Sequence, residues 1–283
     1  MKNGKKIFFL FAFRSLIRTF ANMISKAKLK YIHALEQKKY RRQEGVFVAE
    51  GPKVVGDLLA VMPARELFAT REWMASQPHL ASNVTEVTDD ELRKLSFLQH
   101  PQQVLGVFEM PEASVTAGLS SLPQDATNVE NQLALALDGV QDSGNLGTII
   151  RIADWFGIDT IYCSPDTADA YNPKVVQATM GSIARVQILY IDLAELIDSL
   201  PAGTPVYGTL LNGENIYRQP LQPRGLIVMG NEGKGISPDI ARRVSHRLLI
   251  PNYPEGRATA DSLNVAIATA ITCAEFRRQQ LSL

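Results

Sequence analysis

From residue 132 onward, short apolar runs alternate with segments of helical periodicity, and this alternation limits the possible fold more than any other feature. The apolar runs predict six strands: Leu133–Leu137, Thr160–Cys163, Val186–Tyr190, Val206–Leu210, Leu226–Met229 and Leu248–Ile250. The segments between and after them predict helices over Leu146–Phe156, from Pro173 toward Ile183, over Leu193–Leu200, after Ser237, and over Ser262–Gln279. Apolar strands that alternate with helices form a parallel sheet covered on both faces. We therefore predict an α/β fold with a parallel sheet for residues 132–283.

Residues 23–111 predict a second, smaller α/β domain. A helical pattern spans Ala27–Gln43, with its apolar face on Leu29, Ile32 and Leu35. Later patterns predict strands over Val46–Ala49, Glu66–Ala69, Asn83–Val87 and Val104–Phe108, and helices over Lys53–Val61 and Asp89–Leu95. Residues 112–131 are rich in Ser, Pro, Ala and Thr, which is typical of a linker.

The first 22 residues differ in character from the rest of the chain. Three lysines precede the apolar run Ile7–Phe13, as in a signal sequence, but no A-x-A cleavage site comes after it. The run is also too short to span a bilayer. Because Met23 begins a more ordinary polar and basic segment, we expect residues 1–22 to be an upstream or non-native extension. A targeting or membrane-associating segment is the alternative.

The formal net charge is zero, yet the charges are unevenly distributed. Residues 1–53 contain 13 Lys and Arg against 3 Asp and Glu, whereas the remaining residues contain 16 against 26. A basic front on an acidic body favours contact with a polyanion, with an ordinary solvated surface as the alternative. The hydrophobic fraction of 46% excludes a disordered chain. The two cysteines, Cys163 and Cys273, and the four scattered histidines lack metal-ligand spacing, so no metal site is predicted.

Three segments place glycine and polar residues where predicted strands end, and doubly wound sheets bind ligands at those ends. The first segment, residues 138–157, carries Asn145, which is suited to cap the next helix, and Arg151 within that helix. An arginine in so apolar a helix is either functional or held in a salt bridge to Asp138 or Asp154.

The second segment, Leu226–Ser237, leads an apolar strand into the sequence GNEG at Gly230–Gly233. Glycines there let the backbone approach a ligand closely, and a plain tight turn is the alternative. In the third segment, Ile250-Pro251 ends a strand and Ser262-Leu263-Asn264 opens a long apolar helix. Ser262 and Asp261 are both suited to cap that helix, whereas propensity does not explain Asn264 in its first turn.

In this order the segments resemble the SpoU (TrmH-type) family of RNA ribose 2′-O-methyltransferases in the SPOUT superfamily. The resemblance rests on N-x₅-R at Asn145 and Arg151, GNEG at Gly230–Gly233, IP at Ile250-Pro251 and SLNVA at Ser262–Ala266. The front domain also resembles the family's ribosomal-protein-like substrate-binding domain, through Lys38–Val55. The segment Asn252–Asp261 is longer than in many family members, which leaves the shape of the pocket wall open.

The resemblance implies a deep trefoil knot in the parallel-sheet domain, S-adenosylmethionine as the cofactor, an RNA substrate, and a homodimer formed through the knotted domain. It implies cofactor contacts at Gly230, Ile250 and Leu263, and catalytic positions at Arg151, Asn145, Glu232, Ser262 and Asn264. We expect the basic front to hold RNA phosphates through Lys38, Lys39, Arg41 and Arg42. We also expect Arg151 to stabilise the developing 2′-alkoxide, because a guanidinium stays protonated and is a poor general base.

We expect a cytoplasmic enzyme without a metal or a membrane partner. Ribosomal RNA is the expected substrate because the front domain resembles a ribosomal-protein-like module, and transfer RNA is the second choice. Two other classes are weighed against this interpretation. A non-catalytic RNA-binding protein is disfavoured by the intact set of site residues, and a dinucleotide-dependent oxidoreductase by the missing G-x-G-x-x-G fingerprint.

Overall fold

The computed structural model describes residues 24–77, 83–111, 129–254, 257–258 and 260–281. The chain divides into two compact units between Glu109 and Met110. The predictions for residues 1–22 and for most of the linker lie outside the described residues. No helix in the described ranges has the length and apolar character needed to cross a membrane.

The first unit is built on a four-stranded mixed sheet. Its strands are β1 (Val46–Glu50), β2 (Ala64–Ala69), β3 (Val84–Glu86) and β4 (Val104–Glu109), in the spatial order β1-β4-β2-β3. Strand β4 is antiparallel to both β1 and β2, and β3 is parallel to β2. The helices are α1 (Lys26–Ala34), α2 (Lys38–Glu44), α3 (Pro52–Leu59), α4 (Arg71–Ala75) and α5 (Asp89–Leu95). Thr88 caps α5 through a reciprocal pair of hydrogen bonds with Glu91.

The helix predicted over Ala27–Gln43 is instead two helices, α1 and α2. Its apolar face is correctly predicted, because Ile32 and Leu35 are fully buried in one cluster with strand residues of this unit. The break is held by Arg41, whose side chain is only 1% exposed. Its Nη1 donates to the backbone oxygens of Leu35 and Glu36, at 2.7 and 2.6 Å, and so satisfies carbonyls at the end of α1. The prediction that Arg41 binds RNA is therefore wrong, because its guanidinium is committed to the fold.

The second unit is a six-stranded sheet in which every strand pair is parallel, with the order β10-β8-β9-β5-β6-β7. The predicted α/β architecture is thus confirmed. Its strands are β5 (Leu133–Asp138), β6 (Thr160–Cys163), β7 (Gln187–Tyr190), β8 (Val206–Asn215), β9 (Gly225–Gly230) and β10 (His246–Leu249). Its helices are α6 (Ser143–Trp155), α7 (Pro173–Ala178), α8 (Leu193–Ser199), α9 (Pro238–Arg243) and α10 (Val265–Leu281). Strand β9, inserted between β8 and β5, is buried along its whole length, which explains its unbroken apolar sequence.

Two elements in this unit end at places that differ clearly from the predictions. Helix α7 ends at Ala178 instead of running toward Ile183, and a short 3₁₀ turn follows at Ser182–Ala184. Strand β8 runs to Asn215 instead of Leu210, with an irregularity in its pairing to β10. The partner of Arg247 is Gly208, whereas the partner of Leu248 is Glu214, so residues 209–213 leave the ladder.

Candidate active site

A cavity of about 480 Å³ opens in the second unit, at the ends of strands β9 and β10 and beside the irregular part of β8. Its walls come from residues 209–212, which leave the ladder between β8 and β10, and from residues 229–236, which form the end of β9 and the loop after it. The end of β10 and the segment that leads into α10 complete it. This is the edge of a parallel sheet at which ligands bind, and the volume is in the range of small-molecule sites.

Five of the predicted site residues line this cavity. They are the three predicted cofactor contacts and two of the predicted catalytic residues: Gly230, Ile250, Leu263, Glu232 and Ser262. The structure thus brings together positions that are far apart in sequence. The other three predicted catalytic residues, Asn145, Arg151 and Asn264, do not line it.

Asn145 and Asn264 are nevertheless joined to the cavity by a chain of hydrogen bonds. Asn264 Nδ2 donates to Asn145 Oδ1 at 2.9 Å, and Asn145 Nδ2 donates to Glu232 Oε1 at 3.0 Å. The Glu232 carboxylate also accepts from the backbone N–H groups of Gln141 and Asp142, at 3.3 and 3.2 Å. One carboxylate therefore ties the start of α6 and the start of α10 to the wall of the cavity.

The direction of the hydrogen bonds between Asn264, Asn145 and Glu232 is fixed. An ionised carboxylate accepts but cannot donate, so Asn145 must turn its amide nitrogen toward Glu232 and its oxygen toward Asn264. Burial opposes the charge of Glu232, but the hydrogen bonds from Asn145 and the backbone outweigh burial and lower the pKa of this carboxyl below its usual value. Glu232 is therefore ionised at neutral pH and acts as a fixed acceptor.

The two asparagines take different capping roles from those predicted. Helix α6 is capped by Asp142, whose Oδ1 accepts from the N–H of Asn145 at 2.7 Å, so Asn145 lies in the first turn and its side chain is available for Glu232. Helix α10 begins at Val265, and Asn264 Oδ1 accepts from the N–H groups of Ala266 and Ile267. Asn264 is therefore the cap of that helix, in place of Ser262 or Asp261.

The GNEG segment forms a tight, internally braced loop. Asn231 Nδ2 donates to the backbone oxygen of Gly139 at 2.6 Å, and its Oδ1 accepts from the N–H groups of Gly233 and Lys234. Two backbone hydrogen bonds, at 3.0 and 2.9 Å, join Asn231 to Gly235. A Cβ atom on Gly230 would lie 2.2 Å from backbone atoms of Gly235 and Ile236. Glycine is therefore needed at position 230 to form the tight turn, which was the alternative interpretation of this segment. Gly230 also lines the cavity.

Arg151 is exposed on α6 and stands apart from this network. Neither of its predicted ion-pair partners, Asp138 or Asp154, forms an ion pair with it. Asp154 pairs with Arg185 at 2.8 Å, and Asp138 Oδ2 accepts from the N–H of Ser237 at 2.6 Å. Across the ranges that the structure describes, Arg151 forms no hydrogen bond or ion pair, so the alternative of a structural salt bridge finds no support there.

The sequence analysis missed two contributions to the site. The side chain of Asp138 holds the start of α9 through Ser237, although its place at the end of a buried strand was a usable signal. Residues 209–212 form a cavity wall, although the apolar run Val206–Leu210 indicated a plain strand. Gly208 and Gly213 flank that excursion and are the sequence features that mark it.

Replacing Asn145 by aspartate tests the hydrogen-bond chain, because it sets a second carboxylate against Glu232. We expect Asn145→Asp to lower the free energy of unfolding by about 1–2 kcal/mol at pH 7, after allowance for solvent screening. Repulsion raises the pKa of one carboxyl in the folded variant, so the lost stability should return as the pH falls below that pKa. Thermal melts of both proteins across pH 4–8 measure this.

The double variant Asn145→Asp/Glu232→Gln is the matched control. In this variant an amide donor at position 232 faces a carboxylate at position 145, the reverse of the wild-type arrangement. It should therefore recover much of the stability that the single change removes. A single variant that is as stable as wild type at pH 7, or a double variant that recovers no stability, would contradict the hydrogen bond assigned between Asn145 and Glu232.

Comparison with known proteins agrees with this geometry. The model of the SpoU rRNA Methylase family matches residues 132–274, and that of the MRM3-like substrate binding domain matches residues 26–106. The chain is 30% identical to the 23S rRNA (guanosine(2553)-2′-O)-methyltransferase RlmP of Bacillus subtilis, over 88% of this chain and 96% of that protein.

Two solved structures share the fold across nearly the whole chain. A TrmH family protein from Porphyromonas gingivalis has a TM-score of 0.78 and 38% identity, with 91% of this chain and 99% of that chain covered. An AdoMet-bound rRNA methyltransferase from Sinorhizobium meliloti has a TM-score of 0.74 and 32% identity, with 88% and 94% covered.

Proposed function

Because the chain belongs to the SpoU rRNA methylase family, we propose that it transfers a methyl group from S-adenosylmethionine to a ribose 2′-hydroxyl of ribosomal RNA. One observation carries the proposal most directly. The cavity at the strand ends is lined by Gly230, Glu232, Ile250, Ser262 and Leu263, the positions that the family resemblance assigns to cofactor and catalysis. The S. meliloti relative binds the same cofactor, and the B. subtilis relative methylates ribosomal RNA.

The cavity fits such a cofactor in size and chemistry. Leu210, Ile250, Leu263 and Val265 supply apolar surface for a flat ring system, and the glycine-rich loop supplies backbone polar groups. The bound cofactor would supply the methyl group on its sulfonium. The chain's own residues would then hold the ribose and the cofactor in line and exclude water, because the charges of the reactants cancel along this reaction path.

Within this proposal, Arg151 is the residue that meets the reacting nucleotide. Its exposed guanidinium is not used by described neighbours, so it is free to orient a phosphate and to stabilise the 2′-oxygen as charge develops. Glu232, Asn145 and Asn264 act as positioning residues, since their hydrogen bonds fix the loops on either side of the cavity. Ser262 lies on the cavity wall and would contact the ribose or the cofactor.

The direct test is methyl transfer from labelled S-adenosylmethionine to ribosomal RNA, followed by nucleoside analysis. The proposal expects a single 2′-O-methylated nucleoside, absent from the total RNA of a strain that lacks the protein. Methylation of a base would contradict the reaction class, and methylation confined to transfer RNA would contradict the substrate. Cofactor-independent RNA binding without transfer would favour a non-catalytic protein on the same fold.

The first unit, over residues 23–111, would bind the RNA, with Lys38, Lys39 and Arg42 as phosphate contacts. Lys39 and Arg42 are exposed on α2, and neither forms an ion pair with a described carboxylate. Several other cations of the unit pair with carboxylates, such as Arg93 with Asp90 at 2.6 Å. Unneutralised cations attract phosphate, so α2 is the better candidate for the RNA surface.

Replacing Lys38, Lys39 and Arg42 together by alanine should weaken RNA binding and flatten its dependence on salt. Each phosphate contact contributes about 0.7 to the slope of log K against log[salt] for single strands, so the slope should fall by roughly two. Fluorescence anisotropy across a salt series measures it, with Arg93→Ala as the control that keeps the slope. Arg41→Ala should instead lower the melting temperature. An unchanged slope in the triple variant would remove α2 from the RNA surface.

The proposal extends to assembly and topology. A homodimer through the second unit is supported by large apolar side chains on its surface, Trp155 at 85% and Ile267 at 53% exposure. Arg151 does not line the cavity of its own chain, which agrees with an active site next to the dimer interface.

The trefoil knot is supported by the strand order, in which β9 is inserted between the earlier strands β8 and β5. A 112–131 linker and a cytoplasmic location complete the proposal.

A further inference from the structure

We propose that Lys234 and Asp261 bind the two charged groups of the cofactor's amino-acid end, Lys234 the carboxylate and Asp261 the ammonium; this rests on the proposed function. Among the described residues that line the cavity, three carry a formal charge, namely Glu232, Lys234 and Asp261. The Glu232 carboxylate is already engaged by three hydrogen-bond donors, the Asn145 side chain and the backbone N–H groups of Gln141 and Asp142. The other two charges are therefore the ones available to a ligand.

Lys234 and Asp261 do not neutralise each other. No ion pair joins them, and neither side chain forms a hydrogen bond with another residue in the part of the chain that the structure describes. Several arginines of the same unit are neutralised by carboxylates: Arg185 pairs with Asp154, Arg243 with Asp198, and Arg278 with Glu275. Two opposite charges left unpaired on the wall of one cavity match a ligand that carries both signs.

The backbone of Lys234 is held firmly although its ammonium is not. Its N–H donates to Asn231 Oδ1 at 3.0 Å, within the loop closed by the paired hydrogen bonds of Asn231 and Gly235. A flexible side chain on a fixed base loses little backbone entropy when its charged end meets an anion. Lys234 is thus placed to bind a carboxylate at the cavity without any rearrangement of the loop.

The ligand chemistry fits this pair of residues. At neutral pH a free α-amino acid group carries one carboxylate and one ammonium. Lys234 offers up to three N–H donors to the carboxylate, and Asp261 offers only acceptors to the ammonium. A phosphate of the RNA is the other anion that Lys234 alone could bind, and it would leave Asp261 without a role.

Calorimetry with two ligands separates these possibilities. S-adenosylhomocysteine carries the amino-acid end, whereas 5′-methylthioadenosine has the same nucleoside without it. Lys234→Met and Asp261→Asn should each weaken S-adenosylhomocysteine binding about fivefold to tenfold, while binding of methylthioadenosine changes less than twofold. Lys234→Arg should retain most of the affinity. Lys174→Met and Asp159→Asn, at exposed positions outside the cavity lining, are the matched controls, and melting curves establish that each variant is folded.

Each other outcome counts against the assignment in a distinguishable way. If the wild type binds neither ligand, the proposed function fails and the assignment fails with it. If the wild type binds both ligands and the variants keep the ratio of the two affinities, the assignment alone is overturned. Weaker RNA binding by Lys234→Met with unchanged S-adenosylhomocysteine affinity would assign Lys234 to a phosphate, and an effect at only one of the two residues would overturn the pair.

Discussion

Replacement of Arg151 by alanine should lower the single-turnover rate of methyl transfer by about a hundredfold or more and leave the fold and the cofactor affinity nearly unchanged. Loss of one preorganised group that acts on developing charge costs roughly 3–4 kcal/mol of transition-state stabilisation. The structure explains why stability should be spared, because Arg151 is exposed and has no partner among the described residues. It also explains the spared cofactor affinity, because Arg151 is not part of the cavity wall.

Arg185→Ala is the matched control, since Arg185 forms the ion pair with Asp154 on the same helix as Arg151. That exposed pair should contribute at most about 1 kcal/mol to stability and little to turnover. Arg151→Lys should rescue poorly, because an ammonium cannot reproduce the planar fork of a guanidinium.

Single-turnover rates, cofactor calorimetry and a melting curve on the same preparations separate the two possible roles of Arg151. A folded Arg151→Ala protein that binds cofactor and methylates at nearly the wild-type rate would remove Arg151 from the mechanism. A variant that melts early and loses cofactor binding and turnover together would make Arg151 a structural residue.

The sheet of the second unit could be predicted because its strands are buried on both faces and leave unbroken apolar runs. Thr160–Cys163 is predicted to the residue, and β9 differs by one residue at each end. Boundaries set by side-chain capping were harder to predict, since several residues near a helix start can serve as the cap. Asp142 takes that role for α6, which leaves Asn145 free for Glu232.

The hydrogen-bond chain itself could not be predicted from local patterns. Its two links join residues that are 87 and 119 positions apart in the sequence. Their proximity depends on the spatial order of the strands, which periodicity does not specify. Arg41 shows the same limit in the first unit. Its place in a basic run indicated an RNA contact, but tertiary packing buries it against the carbonyls at the end of α1.

Gly230→Ala should distort the cavity and lower the free energy of unfolding by about 2–4 kcal/mol. The added Cβ would lie 2.2 Å from backbone atoms of Gly235 and Ile236. Neither side can yield easily, because β9 is buried in the centre of the sheet and the loop is closed by two hydrogen bonds between Asn231 and Gly235. The loop would have to open, and the wall that carries Glu232 and Lys234 would move with it.

Cofactor affinity should therefore fall more than tenfold in Gly230→Ala, together with the melting temperature. Gly233→Ala, in the same loop, is the matched control, since its Cβ would have no neighbour closer than the Asn231 side chain at 3.8 Å. It should melt close to wild type. Calorimetry and thermal melts on the two variants measure the contrast. A Gly230→Ala protein with wild-type stability and affinity would show that the loop adjusts freely, and the close backbone approach would then not be what shapes the cavity.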